Sequence, residues 1–289
     1  ILYALVNRKA PNLPKLATHY QDFVAWQQNY LQSKTCQKDR DFWYAKLANT
    51  LPILNLSTDF NRTALTKNKY HGSSQTLRLD LNQVNLLKQL GQQYDATLFM
   101  ALLAVYSVLL YRYTHQNDII VGTASNGRPQ SRFKQVVGNF VNPVALRNHI
   151  VSTQSFAEYL KQVREGVVSA LSHANYPFSL LVGQLQPERS ADHWPIYQTW
   201  LMLQQGYSES DRGLAHLALA EEGDALNWGD WNVASKAIHE QVENFDLRLM
   251  AAEDCHGLLL SFKYRTDLFR PETIARMTEH FQTLVNRVI

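Results

Sequence analysis

Cysteine is nearly absent: Cys36 and Cys255 are the only two in 289 residues. Two thiols so far apart offer neither a disulfide framework nor a zinc-ligand spacing, and they fit a reduced, cytoplasmic setting. Charge is sparse as well, at 18% of residues with a net +3. The basic residues are scattered without stripes, so the sequence carries no electrostatic footprint for nucleic acid. No apolar run approaches the roughly 20 residues of a membrane-crossing helix, and no basic start leads into an apolar signal segment. No membrane partner is expected, and the sequons Asn55-Leu56-Ser57 and Asn61-Arg62-Thr63 are read as chance matches.

Catalytic signatures are missing too. There is no P-loop, no dinucleotide fingerprint and no HExxH, so neither an embedded cofactor nor a metal is expected. Ser131 and Lys134 have SxxK spacing, but the SDN and KTG elements that this chemistry needs do not occur. Ser125 follows an apolar run as in a nucleophile elbow, yet the glycine required two residues before the serine is not there. His19 and Asp22 stand three apart on an expected helix and are read as surface hydrogen bonding rather than an acid–base pair.

What is present suffices for a sizeable core: 45% of residues are hydrophobic. Phe23, Trp26 and Tyr30, then Phe42, Trp43 and Leu47, recur at helical spacing, which predicts a helical arm within residues 1–50. Residues 51–289 read as one α/β unit, opening with a loop from Pro52 to Gly72. A strand is predicted at Ser74–Leu79, then a helix capped by Asp80 or Asn82 and running to about Tyr94. Asp95 or Thr97 caps a second helix, Leu98–Tyr113, apolar nearly all round and so expected at the centre of the core. Asp118–Thr123 is a continuous apolar strand, and Ser155 opens a helix that turns Phe156, Leu160, Val163 and Val167 to one face. Further strands are predicted near 197–204, 214–220, 245–252 and 257–264, and a final helix starts at Pro271, a favourable first-turn residue. Helices covering a mixed sheet is the fold class this pattern implies. Between Gly206 and Gly229 the apolar pattern breaks into two short runs, read as a pair of hairpins.

The segment with most information is Val137-Gly138-Asn139-Phe140-Val141-Asn142-Pro143-Val144-Ala145-Leu146-Arg147. Glycine removes the side chain where something passes close to the backbone. Asn carries two donors and an acceptor that a buried strand must satisfy. The run resembles the (I/V)GxFVNTLxxR motif of the condensation domains of nonribosomal peptide synthetases, departing at Pro143 and Val144. Tyr20-Gln21-Asp22-Phe23-Val24-Ala25-Trp26 resembles that family's YxDYAVW motif. His173-Ala174-Asn175-Tyr176-Pro177-Phe178-Ser179 resembles HQDYPFE, and Arg189 to Ile196 is a looser match to RDxSRNPL, holding mainly the Arg and the Pro. Phe245-Asp246-Leu247 and Thr266-Asp267-Leu268-Phe269 look like the family's last strands and helix, and Ile1–Leu5 looks like the helix that follows its HHxxxDG motif. That motif itself is not in the chain: none of the ten histidines has an aspartate four residues later, and no two are adjacent.

The resemblance implies a chloramphenicol-acetyltransferase-like lobe, the C-terminal part of a condensation domain. Its activity would be amide formation between an acyl or peptidyl thioester and an aminoacyl thioester, each on the phosphopantetheine arm of a carrier protein. The implied partners are donor and acceptor carrier proteins, the N-terminal lobe and a neighbouring adenylation domain. The catalytic histidine would come from the other lobe, so the isolated chain is expected to be inactive. Gly138, Asn142 and Arg147, with Ser125, Asn126 and Arg128 from the loop Ser125-Asn126-Gly127-Arg128, are the expected walls of the substrate tunnel. For Arg147 a structural salt bridge, and for Asn142 a satisfied turn, stay open as alternatives. The region after Gly206 would bridge to the other lobe. A non-catalytic lobe that docks a carrier protein is the competing reading.

Overall fold

The computed structural model describes residues 4, 7–10, 12, 15–48, 50–62, 70–187, 193–204, 215–223, 225–228, 231–238 and 241–289. Two helices, α1 (Tyr20–Leu31) and α2 (Lys34–Lys46), form an arm ahead of the first strand. The rest is β1 (His71–Asp80), α3 (Leu81–Gln93), α4 (Leu98–Thr114), β2 (Asp118–Ser125), β3 (Asn142–His149), α5 (Phe156–Ser172), α6 (Phe178–Leu185), β4 (Thr199–Gln204), α7 (Ala215–Leu219), β5 (Leu226–Trp228), β6 (Trp231–Val233), β7 (Gln241–Val242), β8 (Leu247–Asp254), β9 (Gly257–Arg265) and α8 (Pro271–Val288). Seven strands make one sheet in the order β3-β2-β4-β8-β9-β1-β7, and β5 with β6 forms a separate two-stranded hairpin. The sheet is mixed: β2, β4 and β8 run parallel, while β3, β9, β1 and β7 pair antiparallel to their neighbours.

Alternation along the strands sorts side chains to two faces. Leu249 and Ala251 of β8, Leu258, Leu260 and Phe262 of β9, and Leu79 of β1 join one core with the helices. The centre of that core is α4, buried along most of its length, as its all-round apolar sequence predicts. Each fully buried leucine contributes about 1.5–3 kcal/mol, so this helix is a main source of stability. Thr97 caps it and Asp80 caps α3, where Asp80 Oδ1 accepts from Gln83 N at 2.8 Å and Gln83 Oε1 accepts from Asp80 N at 3.0 Å. α5 begins the same way: Ser155 Oγ accepts from Glu158 N, and Glu158 accepts from Ser155 N at 2.7 Å. The hydrogen bond from the Ser155 backbone holds the Glu158 carboxyl below its ordinary range.

The opposite face carries Met250, Ala252 and Leu259, covered by Leu219 of α7. Polar contacts pin this cover down. His216 Nε2 lies 3.0 Å from Asp254 Oδ2, Ser261 Oγ donates to Glu221 Oε1 at 2.7 Å, and Ser235 Oγ donates to the Glu221 carbonyl at 3.0 Å. Burial opposes ionisation of Asp254. Its hydrogen bonds from Arg78 and from the His256 backbone still hold its carboxyl below the ordinary value.

Three expectations change. The strand expected at 214–220 is the helix α7, because Ala-His-Leu-Ala-Leu is a short, mostly apolar run that periodicity alone does not assign, and it consists mostly of good helix formers. The run from Val137 is not strand throughout: β3 starts only at Asn142, the preceding residues being held by Tyr20 and Arg128 as described below. Of the two hairpins expected between Gly206 and Gly229, the described residues contain α7 and one strand, β5, of a hairpin that extends to Val233. Residues 205–214 lie outside the described residues, as do Arg189 to Asp192 of the fourth motif and most of Ile1–Leu5.

Candidate functional site at a parting of the sheet

Parallel strands β2 and β4 are paired at only two positions, Val121 with Thr199 and Gly122 with Trp200. Yet β2 continues to Ser125 and β4 to Gln204, and β4 stays paired with β8 over all of its six residues. Beyond Gly122, then, β2 and β4 separate. The last pair is crowded by aromatic rings, since a Cβ on Gly122 would lie 2.6 Å from both Trp200 and Tyr197. A cleft of about 450 Å³ occupies the gap. Its walls are Thr123–Asn126 of β2 and its following loop, Met202–Gln204 of β4, the first turn of α4 with Thr97, Phe99 and Met100, and Val141, Val167 and Leu171.

Met202 and Leu203 both line the cleft although successive residues point to opposite faces, so residues belonging to both faces of the sheet border it. It opens at the carboxyl ends of parallel strands, the usual location for ligands in α/β sheets. Of its lining residues, Val141 and Leu171 are 60% and 47% exposed, which gives the cleft an apolar edge. A larger cavity of about 660 Å³, bounded by Tyr44, Ile53, Leu185, Trp194 and Gln198, lies at the opposite end of β4.

Of the residues singled out in the sequence, Ser125 and Asn126 reach the cleft. Both also shape the loop that follows. Ser125 Oγ accepts from Gly127 N at 3.2 Å and Asn126 Oδ1 from Arg128 N at 3.1 Å, and Gly127 sits at φ +60°, where a Cβ would collide with the Phe140 carbonyl. Arg128 turns away from the cleft. Its guanidinium donates to the carbonyls of Phe133 and Val136 and lies 4.0 Å above the Phe140 ring. What approaches Gly138 closely is the chain's own Tyr20, whose ring would be 2.2 Å from a Cβ there and whose hydroxyl donates to the Asn139 carbonyl at 2.8 Å.

Asn142 uses its whole amide internally. Nδ2 donates to the carbonyls of Ala174 and Tyr176 at 2.8 Å each, and Oδ1 accepts from Phe178 N at 3.0 Å. Arg147 sits five residues further along β3, about 17 Å by strand rise, and lines no part of the cleft. Its guanidinium grips Asp118 at 2.7–3.2 Å and donates to the Lys46 and Ala48 carbonyls at 3.2 Å, closing the C-terminal end of α2. The hydrogen bond to Asp118 raises its pKa above the ordinary guanidinium value.

The three motifs therefore meet one another. Tyr20, Phe23 and Trp26 pack with Phe133 and Phe140, Asn142 holds the 174–178 turn, and His173 Nδ1 meets Asp39 Oδ1 at 2.7 Å. Tyr30 OH donates to the other oxygen of Asp39 at 2.6 Å, and Trp43 Nε1 donates to the His173 carbonyl at 2.9 Å. This junction fixes the helical arm to the end of α5. His19 and Asp22 are a helix start: Asp22 Oδ2 accepts from His19 N at 2.7 Å.

Sequence reasoning missed Thr97, Phe99, Met100, Met202, Leu203 and Gln204. Nothing in an apolar helix start or an apolar strand end marks such residues as a site. Among the described residues, no His, Cys, Asp, Glu, Lys or Arg lines the cleft, and no cluster of three or more metal-ligating side chains occurs. Among those residues no single helix is both long and apolar enough to cross a membrane.

Residues 1–289 match the family model described as condensation domain. Tyrocidine synthase 3 of Brevibacillus parabrevis is 35% identical over 283 residues, covering 97% of this chain and 4% of that protein. Bacitracin synthase 3 of Bacillus licheniformis is 34% identical over 268 residues, 93% of this chain and 4% of its own length. The chain thus spans a small part of the curated relatives it matches. Among solved structures, a four-domain nonribosomal peptide synthetase bound to AMP and glycine superposes with a TM-score of 0.80 at 25% identity, over 90% of this chain and 20% of that one. The X-domain from teicoplanin biosynthesis gives 0.79 at 22% identity, over 99% and 62%. The fold is chloramphenicol-acetyltransferase-like, and the chain belongs to the condensation domain family of nonribosomal peptide synthetases.

Proposed function

We propose that this chain is the C-terminal lobe of an amide-forming condensation unit, and that the gap between β2 and β4 is its share of the passage for carrier-bound substrates. The observation that carries the reading is the parting itself: a cleft between separated strands, at the carboxyl ends of parallel strands, lined by uncharged residues among those described and edged by exposed Val141 and Leu171. Backbone groups on the separated strands have no ladder partner across the gap. They are suited to the amides of an extended phosphopantetheine arm, which belongs to the carrier proteins and tethers the substrates.

In the reaction the amine nitrogen of the acceptor attacks the thioester carbonyl carbon of the donor. The C–N bond forms, the C–S bond breaks, and the donor arm leaves as a thiol while the amine loses a proton. The slot holds amine and thioester in near-attack geometry. The first turn of α4 borders the cleft, and in this reading the positive end of its helix dipole favours negative charge building on the carbonyl oxygen. The proton needs a base, and none of the described residues lining the slot is one; in this reading an imidazole from the companion lobe supplies it. Within the same reading Asn142 and Arg147 hold the wall in place and do not touch substrate.

The test uses donor and acceptor carrier proteins loaded with acyl and aminoacyl thioesters, with amide product followed by mass spectrometry. The chain alone is expected to give no product, and addition of the companion lobe is expected to restore it. Product from the lone chain would overturn the proposal. Carrier binding without product in the reconstituted assembly would favour a docking lobe.

A further inference from the structure

Resting on the reading of the cleft as a substrate passage, we infer that it selects uncharged, apolar acyl or aminoacyl side chains, with Met100 and Met202 as specificity determinants. The thirteen described residues around it are all uncharged, and eight of them are Phe99, Met100, Ala124, Val141, Val167, Leu171, Met202 and Leu203. The nearest cation in sequence, Arg128, is committed to the carbonyls of Phe133 and Val136 and to the Phe140 ring. A charged side chain entering the slot would shed hydration and meet no counter-ion among the described residues that line it, a cost its apolar contacts do not offset. The α4 dipole adds asymmetry, because its positive end lies at the cleft: an ammonium group is opposed more than a carboxylate.

The two methionines come from different walls, Met100 from α4 and Met202 from β4. Each is steadied through sulfur: Thr97 N approaches Met100 Sδ at 3.4 Å, and Gln204 Nε2 approaches Met202 Sδ at 3.1 Å. Flexible, polarizable thioethers adapt to differently shaped apolar groups. The slot therefore separates charged from neutral strongly and one apolar side chain from another weakly.

The chain has four methionines, at 100, 202, 250 and 277, which makes the test direct. Methyl-13C methionine NMR of the whole chain would be titrated with acetyl-, leucyl-, phenylalanyl-, glutamyl- and lysyl-pantetheine amides, the amide link preventing turnover. The leucyl and phenylalanyl ligands are expected to shift Met100 and Met202, leave Met277 in α8 unmoved, and bind within about threefold of each other. The glutamyl ligand is expected to bind roughly tenfold or more weakly, and the lysyl ligand most weakly of all. Met202→Glu should move the preference toward lysyl. Where circular dichroism shows that variant unfolded, Met202→Gln replaces it and should narrow the leucyl advantage. Equal affinity for leucyl, glutamyl and lysyl ligands overturns the selectivity while leaving the passage intact. Failure of every ligand, acetyl-pantetheine included, to move Met100 or Met202 overturns the passage itself.

Discussion

Two junctions in one sheet behave in opposite ways. β8 and β9 are zipped at eight positions from Leu247–Tyr264 to Asp254–Gly257, and on its other side β9 meets β1 so closely that a Cβ on Gly257 would lie 2.1 Å from the Leu79 carbonyl. β2 and β4 are joined at two positions and then separate. An open strand edge is normally a liability that proteins cover or charge. Here it is left open under the first turn of α4 and the side of α5, next to an apolar rim. Stability is concentrated at the zipped junction and the candidate function at the open one, and substitutions should divide along the same line.

The largest expected effect is on the closed side. Phe262 is fully buried and meets Phe281 of α8 edge to face with ring centroids 5.4 Å apart. Phe262→Ala should cost about 3–5 kcal/mol, seen as a lowered urea midpoint with the slope unchanged. Below the transition, acetyl-pantetheine binding should be as in the unsubstituted chain. If binding were lost in the folded variant, the two junctions would not be separable.

Asn142 comes next, because it tests whether a motif residue beside the open junction is a strut. Three hydrogen bonds vanish in Asn142→Ala, leaving Phe178 N and the Ala174 and Tyr176 carbonyls without their partner. A loss of about 2–3 kcal/mol is expected, with reduced turnover in the reconstituted assembly following from the loosened 174–178 turn. Full stability combined with lost turnover would instead make it a substrate contact.

The sequence carried the closed side well. β8 and β9 show as apolar runs, α4 as an all-round apolar helix behind the Thr97 cap, and α8 through Pro271. These are local patterns that packing did not override. α7 was misread because a short, mostly apolar run of five residues fits a buried strand as well as a helix. The cleft was only half visible. Ser125 and Asn126 stood out in a polar loop after an apolar strand, but Met202 and Gln204 lie far away in sequence, and the gap exists only because pairing stops between two sheet neighbours that are distant in the chain. The motif around Asn142 and Arg147 drew attention to residues dense in hydrogen-bonding groups. Sequence alone does not reveal that those groups are consumed by Asp118, by the end of α2 and by the 174–178 turn.

A smaller, pH-dependent effect belongs to the closed end of the sheet. Asp254 is buried between Arg78 Nη1 at 2.6 Å, His216 Nε2 at 3.0 Å and His256 N at 2.8 Å. Burial works against its ionisation, but these partners win and its carboxyl titrates below the ordinary value. A depressed pKa stabilises the fold above the unfolded value of about 4 and loses that contribution as pH falls through the folded value. Asp254→Asn should therefore cost about 1–3 kcal/mol at neutral pH and flatten the acid limb of the stability profile below about pH 4. A variant with an acid limb as steep as the parent's would mean that other carboxylates set it.

The smallest effect on stability is expected at the open junction, where Ser125→Ala removes a hydroxyl that holds only the Gly127 N–H of its own loop. The fold should change by no more than about 0.5 kcal/mol. Affinity for acetyl-pantetheine should fall about three- to tenfold, the size of one neutral hydrogen bond. Ser125→Thr keeps the hydroxyl and should recover most of that loss. The pair of variants separates two roles of one atom. A turn anchor would be replaced by any residue that tolerates the loop, and binding would then follow stability. A ligand contact follows the hydroxyl alone. If both variants bind as the parent does, the polar lip of the cleft serves only to turn the chain toward Gly127, and recognition rests on the open strand edges and the methionine walls.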